Sequence, residues 1–204
     1  MFPKVIEDLA REFSQFKGVG PKTAQKFVFH LLKKTFEERK SFSQKLENLE
    51  KIKICPFCGN FTEEEICFFC KDKTRDHSLV CVVQTPLEIE IIEKTGSYKG
   101  IYEVLGGLLD DSLEIRPESL KIGHFLKRLE QGKGKIKEVI FALSSNLEGE
   151  ATLLYLLDLI KKEKDKFQGI KFSKLARGLS SGMELEYTDP LTLEEALKER
   201  KVLL

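Results

Sequence analysis

The sequence has no tryptophan and only two methionines, and its five cysteines are few for 204 residues. So few cysteines argue against a disulfide scaffold. No apolar run approaches 18 residues, which argues against a membrane-spanning helix, and Met1-Phe2-Pro3-Lys4 leads directly into an amphipathic segment, so we expect no signal peptide. The formal net charge of +1 comes from 34 basic and 33 acidic residues. Any nucleic-acid binding must therefore come from local patches of charge. Because the cysteines are expected to be reduced and no targeting segment is apparent, we expect a cytoplasmic protein without membrane contact.

Four of the five cysteines form two Cys-x-x-Cys pairs with eight residues between them, Cys55-Pro-Phe-Cys58 and Cys67-Phe-Phe-Cys70. Each pair can place two thiolates on one tight turn, and the spacer lets the second turn complete a tetrahedron around a soft divalent ion. Two disulfides, a single iron ion or unrelated buried thiols are the alternatives. We predict zinc (Zn²⁺), and because four thiolates leave no open coordination position, we predict a structural role.

The N-terminal region, residues 3–53, has the apolar periodicity of helices. Within it, Gly18-Val-Gly20 predicts a tight turn and Pro21 the start of the next helix. Exposed amides at such a turn can hold a phosphate oxygen, and Lys22 and Lys26, four residues apart on one face, would add positive charge. This pattern resembles the helix-hairpin-helix DNA-binding motif. An ordinary helical corner with solvated lysines is the alternative.

Strand-like and helix-like segments alternate after the cysteines, which predicts an α/β domain with a parallel sheet and helices on both faces. Continuous apolar runs indicate strands buried on both sides. The predicted strands are 79–83, 101–105, 138–143 and 170–176, and the predicted helices between them are 86–95, 117–131 and 148–164. In the C-terminal tail, Thr192-x-x-Glu195 predicts a capping box that opens a short helix through Lys201.

Polar side chains follow two of the predicted strands: Gln84 and Glu88 after the first, and Glu148 and Glu150 after the third. Function in an open α/β sheet belongs at the carboxyl ends of its strands, and carboxylates gathered there could bind Mg²⁺. The alternative is that Glu148 and Glu150 occupy the first turn of a helix, where the helix dipole favours acidic residues.

This order of features resembles the Toprim fold of topoisomerases and primases, and more closely the RecR family of bacterial recombination mediators. The resemblance runs nearly from end to end. The motifs that carry it are Phe16–Leu32, Cys55–Cys70, Cys81-Val-Val, Ile92–Gly107, Glu148–Thr152, Leu175–Leu179 and Leu185–Asp189.

The resemblance implies four parts: a helix-hairpin-helix domain (1–53), a four-cysteine zinc finger (54–76), a Toprim domain (77–174) and a C-terminal segment (175–204). It also implies a ring-like homotetramer that encircles single- or double-stranded DNA near the bacterial nucleoid. Such a protein would act with RecO and RecF to help RecA replace single-strand-binding protein at gaps and breaks. By the same resemblance, Lys22 and Lys26 would contact DNA, and the acidic residues of the Toprim edge would face DNA or a partner.

Departures from the family pattern argue against an enzyme. Toprim enzymes and the RecR pattern place Glu where this chain has Gln84, and RecR usually has Asp at the position of Glu88. The Asp-x-Asp pair of Toprim enzymes is also missing after Leu143. A neutral amide cannot serve as a general base or neutralise Mg²⁺. We therefore predict a non-enzymatic mediator, with a Mg²⁺-dependent Toprim nuclease or topoisomerase as the alternative. The run Gly132-Lys-Gly-Lys135 lacks the rest of a phosphate-binding loop.

Overall fold

The computed structural model describes residues 2–176, 178–179 and 182–200. The chain forms two compact units, residues 1–52 and residues 53–204. Across the described residues, none of the helices combines the length and apolar character needed to span a membrane.

The first unit is helical, as predicted. Its helices are α1 (Lys4–Ser14), α2 (Pro21–Leu32) and α3 (Phe36–Glu47), followed by a 3₁₀ turn (Asn48–Lys51). Ala10 of α1 and Ala24 and Val28 of α2 form its buried centre. The small alanines allow α1 and α2 to approach closely, and the rings of Phe13 and Phe27 meet edge to face, 5.6 Å apart. This pair of helices therefore holds the connecting turn in a fixed shape.

The second unit begins with a small cysteine-bearing module. A two-residue antiparallel hairpin of β1 (Lys53–Ile54) and β2 (Phe61–Thr62) surrounds the first cysteine pair. The short helix α4 (Phe68–Lys71) carries the second pair, starting one residue after Cys67. The two turns that carry the cysteine pairs therefore lie next to each other.

The α/β part has a parallel four-stranded sheet, as predicted, and the structure gives its strand order as β4-β3-β5-β6. Its strands are β3 (Asp76–Val83), β4 (Gly100–Val104), β5 (Glu138–Ala142) and β6 (Lys171–Lys174). Its helices are α5 (Pro86–Lys94), α6 (Ile122–Gln131) and α7 (Leu147–Lys162). The central strands β3 and β5 are in register from Leu79↔Glu138 to Val83↔Ala142.

Helices cover both faces of this sheet. Successive strand residues point to opposite faces, so Val80 and Val82 pack in a cluster with Phe125 of α6 and Leu156 of α7. Cys81 and Val83 pack on the other side, together with residues that include Ile89 of α5. Each large apolar side chain buried in this way contributes about 1.5–3 kcal/mol.

The tail helix α8 (Pro190–Lys198) is present, but its predicted cap is wrong. The N-cap is Asp189, whose carboxylate accepts a hydrogen bond from the Thr192 amide at 2.9 Å. Asp189 is the better cap because Pro190 fits the first helical position, where its missing N–H costs nothing. Lys201, the predicted helix end, lies outside the described residues.

Candidate zinc site and nucleic-acid interface

The four paired cysteines come together in one cluster. Their sulfur atoms all lie within 4.8 Å of one another; Cys55, Cys58 and Cys67 are buried and Cys70 is partly buried. Zinc–sulfur bonds of about 2.3 Å in a tetrahedron place the sulfurs about 3.8 Å apart. The donor set and its dimensions therefore fit a four-coordinate zinc ion.

The electrostatics of the cluster also favour a bound cation. The Sγ atoms of Cys58 and Cys67 are 3.4 Å apart. Hydrogen bonds from Cys58 and Cys70 lower the pKa of Cys67 to about 2, while the hydrogen bond with Cys67 raises the pKa of Cys58 well above its ordinary value. Four thiolates this close can be ionised together only if a positive ion offsets their mutual repulsion.

His77 and Cys81 are not part of this cluster. His77 is in β3, and its Nε2 is 3.0 Å from the backbone oxygen of Asp72. Cys81 is buried in the sheet, where desolvation raises its pKa to about 12 and keeps it a neutral thiol. Cys81 thus acts as a small apolar side chain.

Phe69, which lies within the second cysteine pair, packs against the sheet. The Phe69 ring meets the Tyr102 ring of β4 edge to face at 5.2 Å, and the Arg75 guanidinium lies 4.7 Å from the Phe69 ring centre. Arg75 also donates to both carboxylate oxygens of Glu93 in α5, at 2.9 and 2.5 Å. This ion pair links the polar linker after the cysteines to the α/β domain.

The turn between α1 and α2 has the geometry that the glycines predicted. Gly18 has φ +83°, a left-handed conformation that favours glycine, and the Val19 amide donates to the Phe16 carbonyl at 2.9 Å. Gly20 is the N-cap of α2 and Pro21 its first residue.

The start of α2 offers backbone donors. No side chain of the described residues caps it, so its first amides are open to an outside acceptor. Lys22 and Lys26 are both exposed on this helix. Their role in DNA binding remains a prediction.

At the carboxyl edge of the sheet, Gln84 joins the ends of β3 and β5. Its Oε1 accepts a 2.8 Å hydrogen bond from the Ser144 hydroxyl, and its backbone oxygen accepts from the Gly106 amide at 2.9 Å. The residue therefore has a structural role, because it connects the loop after its own strand to the loops that follow β4 and β5.

Glu88 closes a capping box at the start of α5. Its carboxylate accepts hydrogen bonds from the backbone amide and the hydroxyl of Thr85, at 2.7 and 2.8 Å. In return, the Thr85 hydroxyl accepts from the Leu87 amide at 3.3 Å. This local use satisfies helix N-terminal donors.

Glu148 and Glu150 lie in the first turn of α7, whose N-cap is Asn146. Lys174 of β6 approaches Glu150 at 4.0 Å. Gly149 between them is buried, and a Cβ there would sit 1.9 Å from the Ser144 carbonyl oxygen. Within the described ranges, the four cysteines form the one group of three or more His, Cys, Asp or Glu residues that could hold a metal ion.

Glu103, a charged residue within the buried strand β4, is not among the residues that the sequence predicted to be functional. Its side chain is fully buried, and its carboxylate pairs with Arg128 at 2.5 Å and with His124 at 2.7 Å, both in α6. A glutamate inside an otherwise apolar strand was the available signal, because a buried carboxylate needs charged or hydrogen-bonding partners.

Four family models match this chain in succession. They are the RecR helix-hairpin-helix (residues 6–49), the RecR four-cysteine zinc finger domain (52–72), the Toprim domain (78–176) and the RecR C-terminal region (178–201). The curated relatives include proteins named Recombination protein RecR from several bacteria. The relative from Tropheryma whipplei (strain Twist) is 39% identical, with 98% of each chain covered. That from Streptomyces avermitilis is 39% identical over 100% of this chain and 99% of the relative.

The relative from Moorella thermoacetica is 41% identical over 98% of this chain and 97% of its own length. The chain belongs to the RecR family. The match covers the helical unit, the cysteine module, the α/β domain and the tail in the order that the sequence motifs indicated.

Proposed function

We propose that this chain is a recombination mediator in DNA repair. It binds or encircles DNA and acts with RecO and RecF to help RecA replace single-strand-binding protein at gaps and breaks. The observation that carries the proposal is the full-length match to relatives named Recombination protein RecR, about 40% identical along nearly the whole of both chains.

The α1–α2 turn is the proposed DNA contact. The uncapped amides at the start of α2 and the ammonium groups of Lys22 and Lys26 would bind phosphate oxygens. Contacts of this kind position a protein on DNA without reading its sequence. They suit a mediator that acts on both single- and double-stranded DNA wherever damage occurs.

Zinc has a purely structural role in this proposal. Cys55, Cys58, Cys67 and Cys70 would fill its coordination sphere and leave no position for water or substrate. The ion would hold the β1–β2 hairpin against α4, because neither element is long enough to be stable alone.

We propose that the carboxyl edge of the sheet is a surface for a partner protein or DNA, with Gln84, Glu88, Glu148 and Glu150 as its residues. Gln84 is uncharged and Glu88 is used in a capping box. These two observations favour a mediator over a Mg²⁺-dependent Toprim enzyme. Plasmid cleavage tests the choice: supercoiled plasmid should stay intact with Mg²⁺, and nicking that disappears in Glu148→Gln would overturn the non-enzymatic proposal.

The working form that we propose is a cytoplasmic, nucleoid-associated homotetramer. Large apolar side chains remain exposed in each unit, including Val5 and Phe36 in the first and Leu191 and Leu197 in the second. Exposed apolar surface is typical of protein–protein contacts.

The test of the mediator function is RecA loading on single-stranded DNA coated with single-strand-binding protein. Adding this protein together with RecO should accelerate the appearance of RecA filaments, and either protein alone should have a smaller effect. The double variant Lys22→Ala with Lys26→Ala should reduce the acceleration. Loading that is equally fast with and without this protein would contradict the proposal.

A further inference from the structure

The first cysteine pair is fixed by groups outside the cysteine module. The backbone oxygens of its turn accept three hydrogen bonds from the α/β domain. The Val104 amide of β4 donates to the Cys58 oxygen at 2.8 Å, and Nζ of Lys121, just before α6, donates to the Gly59 oxygen at 3.2 Å.

The third of these bonds comes from His124 of α6. Its Nε2 lies 2.8 Å from the backbone oxygen of Pro56, which stands between the two cysteines of the first pair. A peptide carbonyl can only accept, so Nε2 is the donor. The residues are 68 positions apart in the sequence, and the bond ties the metal-binding turn to the helix that covers the sheet.

The other ring nitrogen of His124 is held by the buried carboxylate. Nδ1 lies 2.7 Å from Oε1 of Glu103, whose second oxygen accepts from Arg128 at 2.5 Å. Arg128 also donates to the Tyr102 backbone oxygen at 2.7 Å. Because Glu103 has no exposed surface and both its oxygens are occupied, the ring of His124 has little freedom to turn.

We infer that Glu103 and His124 are positioning residues for the zinc site. They hold the Pro56 carbonyl, and with it the spacing of the Cys55 and Cys58 sulfurs, in the geometry that the ion needs. Groups that orient metal ligands from outside the coordination sphere contribute about 10- to 100-fold in metal affinity. The second pair, Cys67 and Cys70, is held by the packing of Phe69, so we assign control of zinc release to the first pair.

The inference rests on the proposed zinc binding, and the test separates the two. Zinc content of the unaltered protein is measured first, followed by the rate of zinc release to a chromophoric chelator at one pH. His124→Ala should release zinc about tenfold faster. Lys127→Ala, at an exposed position of the same helix, is the matched control and should leave the rate unchanged.

Two conservative variants distinguish positioning from a general loss of packing. His124→Gln places an amide donor near the Nε2 position and should keep most of the slow release, whereas His124→Asn keeps a donor only toward Glu103 and should behave like His124→Ala. Cobalt-substituted protein gives an independent readout, since its ligand-field absorption should broaden in His124→Asn and stay sharp in His124→Gln.

Equal release rates in the unaltered protein, His124→Asn and His124→Gln would overturn the inference and leave zinc binding standing. Equally accelerated release in both conservative variants would also overturn it, because the Pro56 hydrogen bond would then have no separate effect. An unaltered protein that binds no zinc would overturn both the inference and the proposed cofactor.

Discussion

Two glutamates on either side of the sheet show how single residues connect its parts. Glu103 in β4 holds His124 of α6, and His124 in turn contacts the first cysteine pair at Pro56. Glu93 in α5 binds Arg75 in the linker that follows the second pair. Burial of a carboxylate is costly unless the partner geometry is good, and both residues have a guanidinium within hydrogen-bonding distance. These two ion pairs therefore connect separate segments of the chain.

The Arg75–Glu93 pair predicts an acid-sensitive contribution to stability. Burial opposes ionisation of Glu93, but hydrogen bonds from Arg75 and Tyr102 outweigh it, so the pKa of Glu93 is lowered from its ordinary value of 4.5. The stabilisation is complete above that ordinary value and is lost as the pH falls through the lower, folded-state pKa. Glu93→Gln should cost about 1–3 kcal/mol at neutral pH.

Urea unfolding at several pH values measures this contribution. The difference in unfolding free energy between Glu93→Gln and the unaltered protein should shrink below about pH 5. Glu90→Gln, on the same helix with an exposed partner in Lys94, is the control and should change stability little. A difference for Glu93→Gln that stays constant down to acid pH would contradict the assignment.

The cysteines predict a metal-dependent fold of the module. Cys58→Ser removes a buried ligand and should reduce bound zinc from about one ion per chain toward none, with a lower thermal midpoint, because metal binding and folding are coupled. Cys81→Ala changes the fifth cysteine, which lies in the sheet core, and should keep the zinc. A Cys58→Ser protein with full zinc content and unchanged stability would be inconsistent with the site.

Helices and strands could be predicted from the sequence where a local pattern of residues indicates them. The strands β3 and β5 contain continuous apolar runs, and the structure places all four strands within a few residues of their predictions. The predicted helix 117–131 is interrupted: a 3₁₀ turn covers Pro117–Ser119, and α6 starts at Ile122. The Lys121 amide instead donates to the Leu105 oxygen at the end of β4. Such a tertiary hydrogen bond leaves no mark in the helical periodicity.

The candidate sites divide in the same way. Cysteine spacing and the Gly18-Val-Gly20 turn are local patterns, so the metal cluster and the turn geometry could be predicted. The network of Glu103, His124 and Pro56 joins residues far apart in the chain. No spacing rule finds it, since it exists only once β4 and α6 have packed.

The α1–α2 turn predicts a salt-dependent DNA affinity. Lys22→Ala with Lys26→Ala should weaken binding and lower the slope of log affinity against log salt by about two units, about one for each lost phosphate contact. Lys40→Ala with Lys45→Ala removes two exposed lysines from α3 and serves as the charge-matched control. An unchanged slope in the first double variant would argue against the turn as the DNA contact.

At the scale of the whole molecule, assembly of several chains would bury apolar side chains that are exposed in the single chain. If four chains assemble, light scattering should give about four times the mass of one chain, and dilution should shift this value downward. Leu197→Asp, at a position that is 59% exposed in α8, should reduce the mass, because a charge would enter an apolar contact.

Glu199→Ala, at an exposed position next to the end of the same helix, is the control for Leu197→Asp and should keep the mass of the unaltered protein. A protein that remains a single chain at every concentration would rule out the tetramer.

Gly149 lies where the loop after β5 meets the start of α7. The start of α7 lies so close to the Ser144 carbonyl that even a methyl group at position 149 would collide with it. The glycine of the Glu-Gly-Glu triplet thus has a steric requirement that is independent of magnesium. Glycine at position 149 is therefore not by itself a sign of phosphodiester chemistry, because the close approach of the loop after β5 to the start of α7 already requires it.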